Sequence, residues 1–301
     1  MLALYRTIWK ASWRSQIALI LVSLGIAALA AVPLSYQKDI INVLTEKSVG
    51  FEDLLVLCAE MLGFILLSLA LKWMMGYRAS VLGEGITRRI RVRLYTAGIE
   101  WDTEHRGTLT TAISAEAEEL GKFTGSSISE PVMQLGTLVA VIGYIASTQP
   151  GLGLIALGII APQVVLVLTT QRKVNALVAE RVRRLRRASD TISVAKVAET
   201  EQAVLDDFDG IFNARRTMFI WKLSTKFLLS TLNGVGTVVV LALGGWMVLE
   251  GKTDVGTVVA AGLGLGRLQG PTGFLIAFYR QVSAMRVKFE LLLDIAPSRK
   301  G

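Results

Sequence analysis

Along this chain, runs of about twenty apolar residues alternate with stretches dense in Arg, Lys and Glu. A bilayer core about 30 Å thick takes about 20 residues of helix to cross. Six runs meet that length, at 16–36, 54–76, 131–148, 152–170, 227–249 and 255–278. Their apolar character is continuous rather than alternating, which excludes the strands of an outer-membrane barrel, and only helices or closed barrels satisfy the backbone inside lipid. The pattern predicts an all-α membrane protein of six transmembrane helices, forming one domain over residues 1–301.

The polar stretches are equally informative. Residues 77–130 and 171–226 are similar in length, rich in charged residues and Ala, and free of proline. Both are predicted to be helical hairpins. Val81, Ile86, Ile90 and Leu94 carry an apolar face past the second run to about Trp101. A helix from 54 to 101 is about 70 Å long, more than twice the hydrocarbon thickness. The remaining connections are short turns.

Composition then fixes the solvent and charge fixes the orientation. Apolar residues make up 52% of the chain and charged residues only 19%, more apolar surface than a soluble core of this size requires. The net charge of +8 is distributed unequally. On one side stand only Lys38, Lys47 and Lys252. The other carries Arg6, Lys10 and Arg14, a series from Arg78 to Lys122, twelve cations from Arg172 to Lys226, and the group from Arg280 to Lys300. By the positive-inside rule both termini and both hairpins are cytoplasmic, in a bacterial-type inner membrane. A nucleic-acid partner would call for aromatics among the basic residues, and 172–196 has none.

At the N-terminus Tyr5, Trp9 and Trp13 recur at i, i+4 and i+8 among Arg6, Lys10 and Arg14. This predicts an interfacial elbow helix over 1–15, its aromatics at headgroup level. The small residues from Ala27 to Ala31 imitate a signal-peptidase site, but cleavage there would throw the later loops out of register with the charge pattern. The single cysteine, Cys58, lies within a span and the single histidine, His105, in a polar loop. Neither a disulfide, a metal centre nor a catalytic group is expected.

Three segments carry a family resemblance. Arg106, Gly107, Leu109, Thr111, Ala112, Glu116 and Glu118 are similar to the stretch G-x-L-x-S-R-x-x-x-D-x-E, with Ala112 in place of the arginine and Glu116 in place of the aspartate. Gly244, Gly245, Val248, Gly251 and Gly256 match the turn G-G-x-x-V-x-x-G-x-x-x-x-G. Gly270 and Pro271, then Ala284 to Asp294, resemble an exit into a cytoplasmic linker. Together these resemble the transmembrane domain of exporter-type (type I) ABC transporters over essentially the whole chain. The resemblance implies that 106–116 is the first coupling segment to an ATPase, with a second between about 190 and 212. It also implies a pair of such domains, as a homodimer or heterodimer, around one translocation cavity.

A P-loop is missing. Gly251, Lys252 and Thr253 imitate the end of G-x-x-x-x-G-K-S/T, but the position five before Gly251 is Trp246, within a membrane run. Gly262, Gly264 and Gly266 likewise lie in a span, where small residues serve helix packing. No cofactor is expected on this chain; the resemblance implies ATP and magnesium on a separate ABC-type nucleotide-binding subunit.

Ionisable residues within spans are costly and mark candidates for function. Arg267 falls near the middle of the sixth run, Glu60 toward the outer end of the second and Lys72 toward its inner end, where snorkelling is open to it. Arg267 either lines a cavity or faces Glu60 in an ion pair. Gln134, Gln163 and Gln269 add polar groups for a cavity or for bridging helices. Gly266, Gly270 and Pro271 suit a bending, gating helix. The expected function is the transmembrane subunit of an ATP-driven exporter. A non-transporting receptor or regulatory subunit of the same fold is the alternative; an ion-coupled carrier would want carboxylates at mid-membrane, and Glu60 alone, off-centre, supports it poorly.

Overall fold

The computed structural model describes residues 2–46, 50–98, 110, 112–194 and 197–295. Eight α-helices and one π-helical turn account for nearly all of them: α1 (Leu2–Leu29), α2 (Val32–Glu46), α3 (Phe51–Gly98), the π turn (Ala112–Glu116), α4 (Ala117–Ser126), α5 (Ser129–Thr148), α6 (Pro150–Val194), α7 (Val197–Leu249) and α8 (Val255–Ile295). Five helical stretches among the described residues, 3–46, 51–96, 113–148, 150–185 and 202–249, are long and apolar enough to cross a membrane. In α8, Arg267, Gln269, Pro271 and repeated glycine dilute the apolar character, and it falls outside that group.

Helix α3 runs 48 residues without interruption, about 70 Å at 1.5 Å per residue. Its sequence contains neither proline nor a cap between the apolar run and the basic extension, so nothing stops the helix before Gly98. The first apolar run behaves differently. The sequence reads as one helix over 16–36, whereas the structure breaks it at Ala30 and Ala31. Pro33 explains the break: it has no N–H for a continuing helix, and its ring would strike the carbonyl four residues back, at Leu29. Near the start of α1, Ser12 departs from helical geometry (φ −149°, ψ 22°), bending the chain where the elbow meets the first span, and its hydroxyl donates to the Ile8 carbonyl at 2.8 Å.

The chain divides into two compact units, residues 1–153 with 243–301, and residues 154–242. In the first, Leu4 and Ile8 of the elbow join Leu94, Ala117, Leu120, Phe123, Val282 and Met285 in a buried cluster. Leu19, Ile26, Met75 and Ala79 form another. The elbow aromatics are not all at a lipid-facing surface: Trp9 and Trp13 are 42% and 47% exposed, but Tyr5 turns inward, edge-on to Phe123 at 6.5 Å. Tyr5 follows Leu4 and stands three residues before Ile8, at the edge of the face that those two bury in the cluster, and its ring packs there. Helices α3 and α4 cross at bare backbone. A Cβ on Gly121 would lie 1.9 Å from the Thr87 hydroxyl and 2.8 Å from the Gly83 carbonyl, and one on Gly125 would lie 2.2 Å from the Ala79 carbonyl.

The second unit is held by polar contacts as well as apolar ones. Gln163 donates to Asn233 Oδ1 at 2.9 Å. Arg184 meets Glu180 at 3.1 Å and the nearly buried Asp207 at 3.7 Å, packing where Gly210 leaves room. Lys173 lies over the Trp221 ring, 4.3 Å from its centroid.

Candidate cavity, coupling segment and turn clasp

The break between α1 and α2 creates a polar atom inside the bundle. In an unbroken helix the Ala30 carbonyl would accept from Leu34, but the Leu34 N–H donates instead to Ala31, at 2.9 Å. The freed Ala30 carbonyl accepts from Arg267 Nη1 at 3.4 Å. Arg267 is half-buried and lines a cavity of about 410 Å³ in the first unit. Ser68 and Lys72 of α3, Gln134 and Thr137 of α5, and Pro271 of α8 also line it, between walls that include Ile26, Leu29, Ile65 and Met133. No carboxylate is among the lining residues.

Of the sequence-predicted cavity residues, the structure therefore brings together Arg267 and Gln134, and adds Lys72. Glu60 stands elsewhere, on an exposed face of α3 beside the Tyr36 hydroxyl, whose ring lies 5.6 Å from that of Phe64. Gln163 belongs to the second unit and is occupied by Asn233. Gln269, Gly266 and Gly270 are exposed, and a Cβ on either glycine would meet nothing within 4 Å. These two are not close-packing glycines; with Pro271 beside them they leave that stretch of α8 soft.

Four residues of the predicted coupling segment, Arg106, Gly107, Leu109 and Thr111, lie outside the described residues. Ala112 begins the π turn and the half-buried Glu116 ends it. The turn is clasped to α3 by Arg91, whose Nε donates to the Ile113 carbonyl at 3.0 Å. Its Nη2 reaches the Ser114 carbonyl at 3.4 Å and Glu118 at 3.3 Å. Lys122 closes on the other oxygen of Glu118 at 2.5 Å, and Lys288 of α8 pairs with Glu119. Arg91 is a residue that sequence reasoning missed; one cation in a run from Arg88 to Arg93 carries no signal of its own. The predicted second coupling region, 190–212, is helical in α7 from Val197, and residues 195 and 196 lie outside the described ones.

The glycine motif before α8 resolves into separate physical requirements. Gly251 has φ +67°, a left-handed conformation that costs glycine nothing, and it ends α7. The Lys252 N–H donates to the Met247 carbonyl at 2.9 Å and the Gly251 N–H to the Val248 carbonyl at 3.0 Å, the pairing of a Schellman cap. Asp254 then caps α8, accepting from the Thr257 N–H at 2.7 Å and the Thr257 hydroxyl at 2.8 Å. Asn42 of α2 bridges the junction, donating to Asp254 Oδ1 at 2.8 Å while its own oxygen accepts from the Gly256 N–H at 2.8 Å. A Cβ on Gly256 would sit 2.2 Å from the Lys38 carbonyl, and one on Gly244 2.6 Å from Val258. Partial burial alone would raise the Asp254 pKa, but the bonds from Asn42 and Thr257, with Lys38 nearby, hold it below the ordinary carboxylate value.

With the long helices, the capped glycine turn and the clasped segment in place, comparison with known families gives a single answer. The ABC transporter transmembrane region matches residues 16–272, and the chain belongs to that family. It is a multi-pass membrane protein, a membrane component of an ABC transporter. No curated protein matches the chain.

Proposed function

We propose that this chain is the transmembrane subunit of an ATP-driven exporter, forming the translocation pathway and taking its energy from a separate ABC-type ATPase subunit. The observation that carries the reading is α3: one unbroken helix from an apolar run into a basic extension, with the 112–118 segment fixed against that extension by Arg91. A force applied to this segment reaches the membrane without crossing a flexible joint. Family membership supports the same reading, and the G-K-T triplet, at the α7–α8 turn, is not the end of a P-loop.

In this reading α8 is the sixth crossing despite its dilute hydropathy, since Arg267 and Gln269 belong to a helix that borders a polar pathway rather than lipid alone. The charge distribution supports cytoplasmic termini in an inner membrane, with segments 106–116 and 190–212 meeting the ATPase there. Two transmembrane domains, from one gene or two, complete the pathway. Binding of ATP and magnesium to the partner subunits biases a two-state membrane element through differential contacts.

The test is co-purification from the native membrane in mild detergent, with bound proteins identified and ATP hydrolysis assayed. A P-loop ATPase is expected to co-purify, and replacement of residues 107–112 by a Gly/Ser linker is expected to release it. Recovery of partners none of which hydrolyses ATP would overturn the exporter reading in favour of a receptor or regulatory subunit.

A further inference from the structure

We propose that the Arg267 cavity binds the anionic headgroup, phosphate or carboxylate, of a membrane amphiphile that enters sideways from the bilayer along α3. Two cations, Arg267 and Lys72, line one cavity of about 410 Å³ with no carboxylate among its lining residues. Neither makes an ion pair among the described residues. Arg267 is half-buried, while Lys72 on the same lining is exposed, so an anion in the cavity would supply the missing partner of a partly desolvated cation and meet a second cation as well. The long contact of 3.4 Å to the Ala30 carbonyl leaves most of the five guanidinium N–H donors of Arg267 for a ligand. Ser68, Gln134 and Thr137 supply further donors around the same space. Arg and Lys together offer a planar fork and a point charge, the two modes by which proteins hold phosphate and carboxylate oxygens.

The apolar part of the ligand is indicated by the mouth of the cavity. Leu69 both lines the cavity and is more than half exposed. It belongs to a strip with Leu62, Leu66 and Trp73, at successive steps of 4, 3 and 4 residues on one face of α3, all more than half exposed. The cavity volume is at the low end of small-molecule sites, enough for a headgroup, so the chain lies outside it on this strip. Binding is inferred for the cavity itself, whether or not this chain transports what it binds.

The test uses the full chain in nanodiscs of zwitterionic lipid, without an ATPase partner. Its failure therefore leaves the exporter reading standing, and failure of ATP-driven flux leaves the binding result standing. The probes are dodecyl phosphate, dodecylphosphocholine and inorganic phosphate, with affinities read by native mass spectrometry. Dodecyl phosphate is expected to bind at least tenfold more tightly than either of the other two. Arg267→Gln is expected to lose tenfold or more, Lys72→Gln less, and Arg267→Lys to recover part of the loss. A bromine on the alkyl chain is expected to quench tryptophan emission, and Trp73→Phe to remove that quenching; this needs no change at Arg267 and stands even if Arg267→Gln misfolds. Inorganic phosphate binding as tightly as dodecyl phosphate would assign the cavity to a free anion and overturn the amphiphile. Equal affinity for phosphate and phosphocholine heads, or quenching that Trp73→Phe leaves unchanged, would overturn the proposal as a whole.

Discussion

Replacing Gly256 by alanine tests whether the α7–α8 turn is pinned to α2 as its geometry says. The new Cβ would lie 2.2 Å from the Lys38 carbonyl and 2.5 Å from Asn42 Oδ1, well inside contact distance, and the Lys38 atom belongs to helical backbone that has no rotamer to escape into. Relief requires α2 and the turn to part, which breaks the bond from the Gly256 N–H to Asn42 and loosens that from Asn42 to the Asp254 carboxylate. A neutral hydrogen bond contributes about 1 kcal/mol and one to a charged group about 1.5–3 kcal/mol. Alanine recovers up to about 1 kcal/mol in helix propensity over glycine. The net loss is about 2–3 kcal/mol, and a chain of this size melts roughly 2–4 °C lower for each kcal/mol lost. A fall of roughly 4–12 °C is therefore expected in tryptophan-monitored melting of the detergent-purified protein. Gly262→Ala is the control: a Cβ there meets nothing within 4 Å, so its melting point should hold or rise slightly. The reasoning fails if Gly256→Ala melts within about a degree of the parent protein, or if Gly262→Ala falls as far. A pH profile adds an independent check. Because the folded-state pKa of Asp254 is lowered, its contribution is complete above the ordinary carboxylate value of about 4 and is lost as pH falls through the lower folded value. Asp254→Asn should flatten that part of the acid limb.

Other expectations follow from contacts elsewhere. Arg91→Ala removes three bonds to the 112–118 segment, and hydrogen exchange at Ile113 to Glu118 should quicken at least tenfold while α3 at 60–75 stays protected. Gly121→Ala puts a methyl against Thr87 and the Gly83 carbonyl, and should destabilise by about 1–3 kcal/mol as overpacking does. Thr87→Ala should rescue only part of that, since the Gly83 carbonyl remains in the way; full rescue would show that the backbones are not in contact. At Gln163 and Asn233, leucine substitutions singly and together should give a coupling of about 0.6 kcal/mol and no more than about 2 kcal/mol, the range of hydrogen bonds between membrane helices.

Helix content and extension were legible in the sequence because they depend on local facts: run length, the absence of proline, and an apolar face continued by Ile86, Ile90 and Leu94. The π turn was not, since it answers to Arg91 and to the close crossing at Gly121, contacts between residues that periodicity does not associate. Pro33 shows the opposite failure. Its signal is a single residue inside a continuous apolar run, and the freed Ala30 carbonyl that receives Arg267 is a consequence of the break that the run's hydropathy hides. The glycines at 244, 251 and 256 could be found as a motif, whereas their separate duties, close approach for two and a left-handed φ for the third, need coordinates. For the cavity, the sequence supplied Arg267 and Gln134 but offered Glu60 as a counter-charge; Glu60 faces Tyr36 instead. Lysine near a helix end can reach the interface, so Lys72 carries no signal of its own in the sequence, and its place on the lining of the Arg267 cavity follows from how α3, α5 and α8 meet.

Helix α8 is tied to its neighbours along its length: at its start by Asn42, through Asp254 and Gly256, in its middle by Arg267 to the Ala30 carbonyl, and some thirty residues from the start by Lys288 to Glu119. One side of its middle packs, with Gly264 close to Ile145 and Leu34 and with Leu265 and Leu268 buried; the other carries Gly262, Gly266, Gly270 and Gly273, where a Cβ would meet nothing within 4 Å, and Pro271 withholds one rung of the hydrogen-bond ladder. A beam glued along one side and bare along the other has a preferred direction of bending, and in α8 that bend would fall in the stretch that carries Arg267, so that any curvature of the helix would be felt at the wall of the cavity.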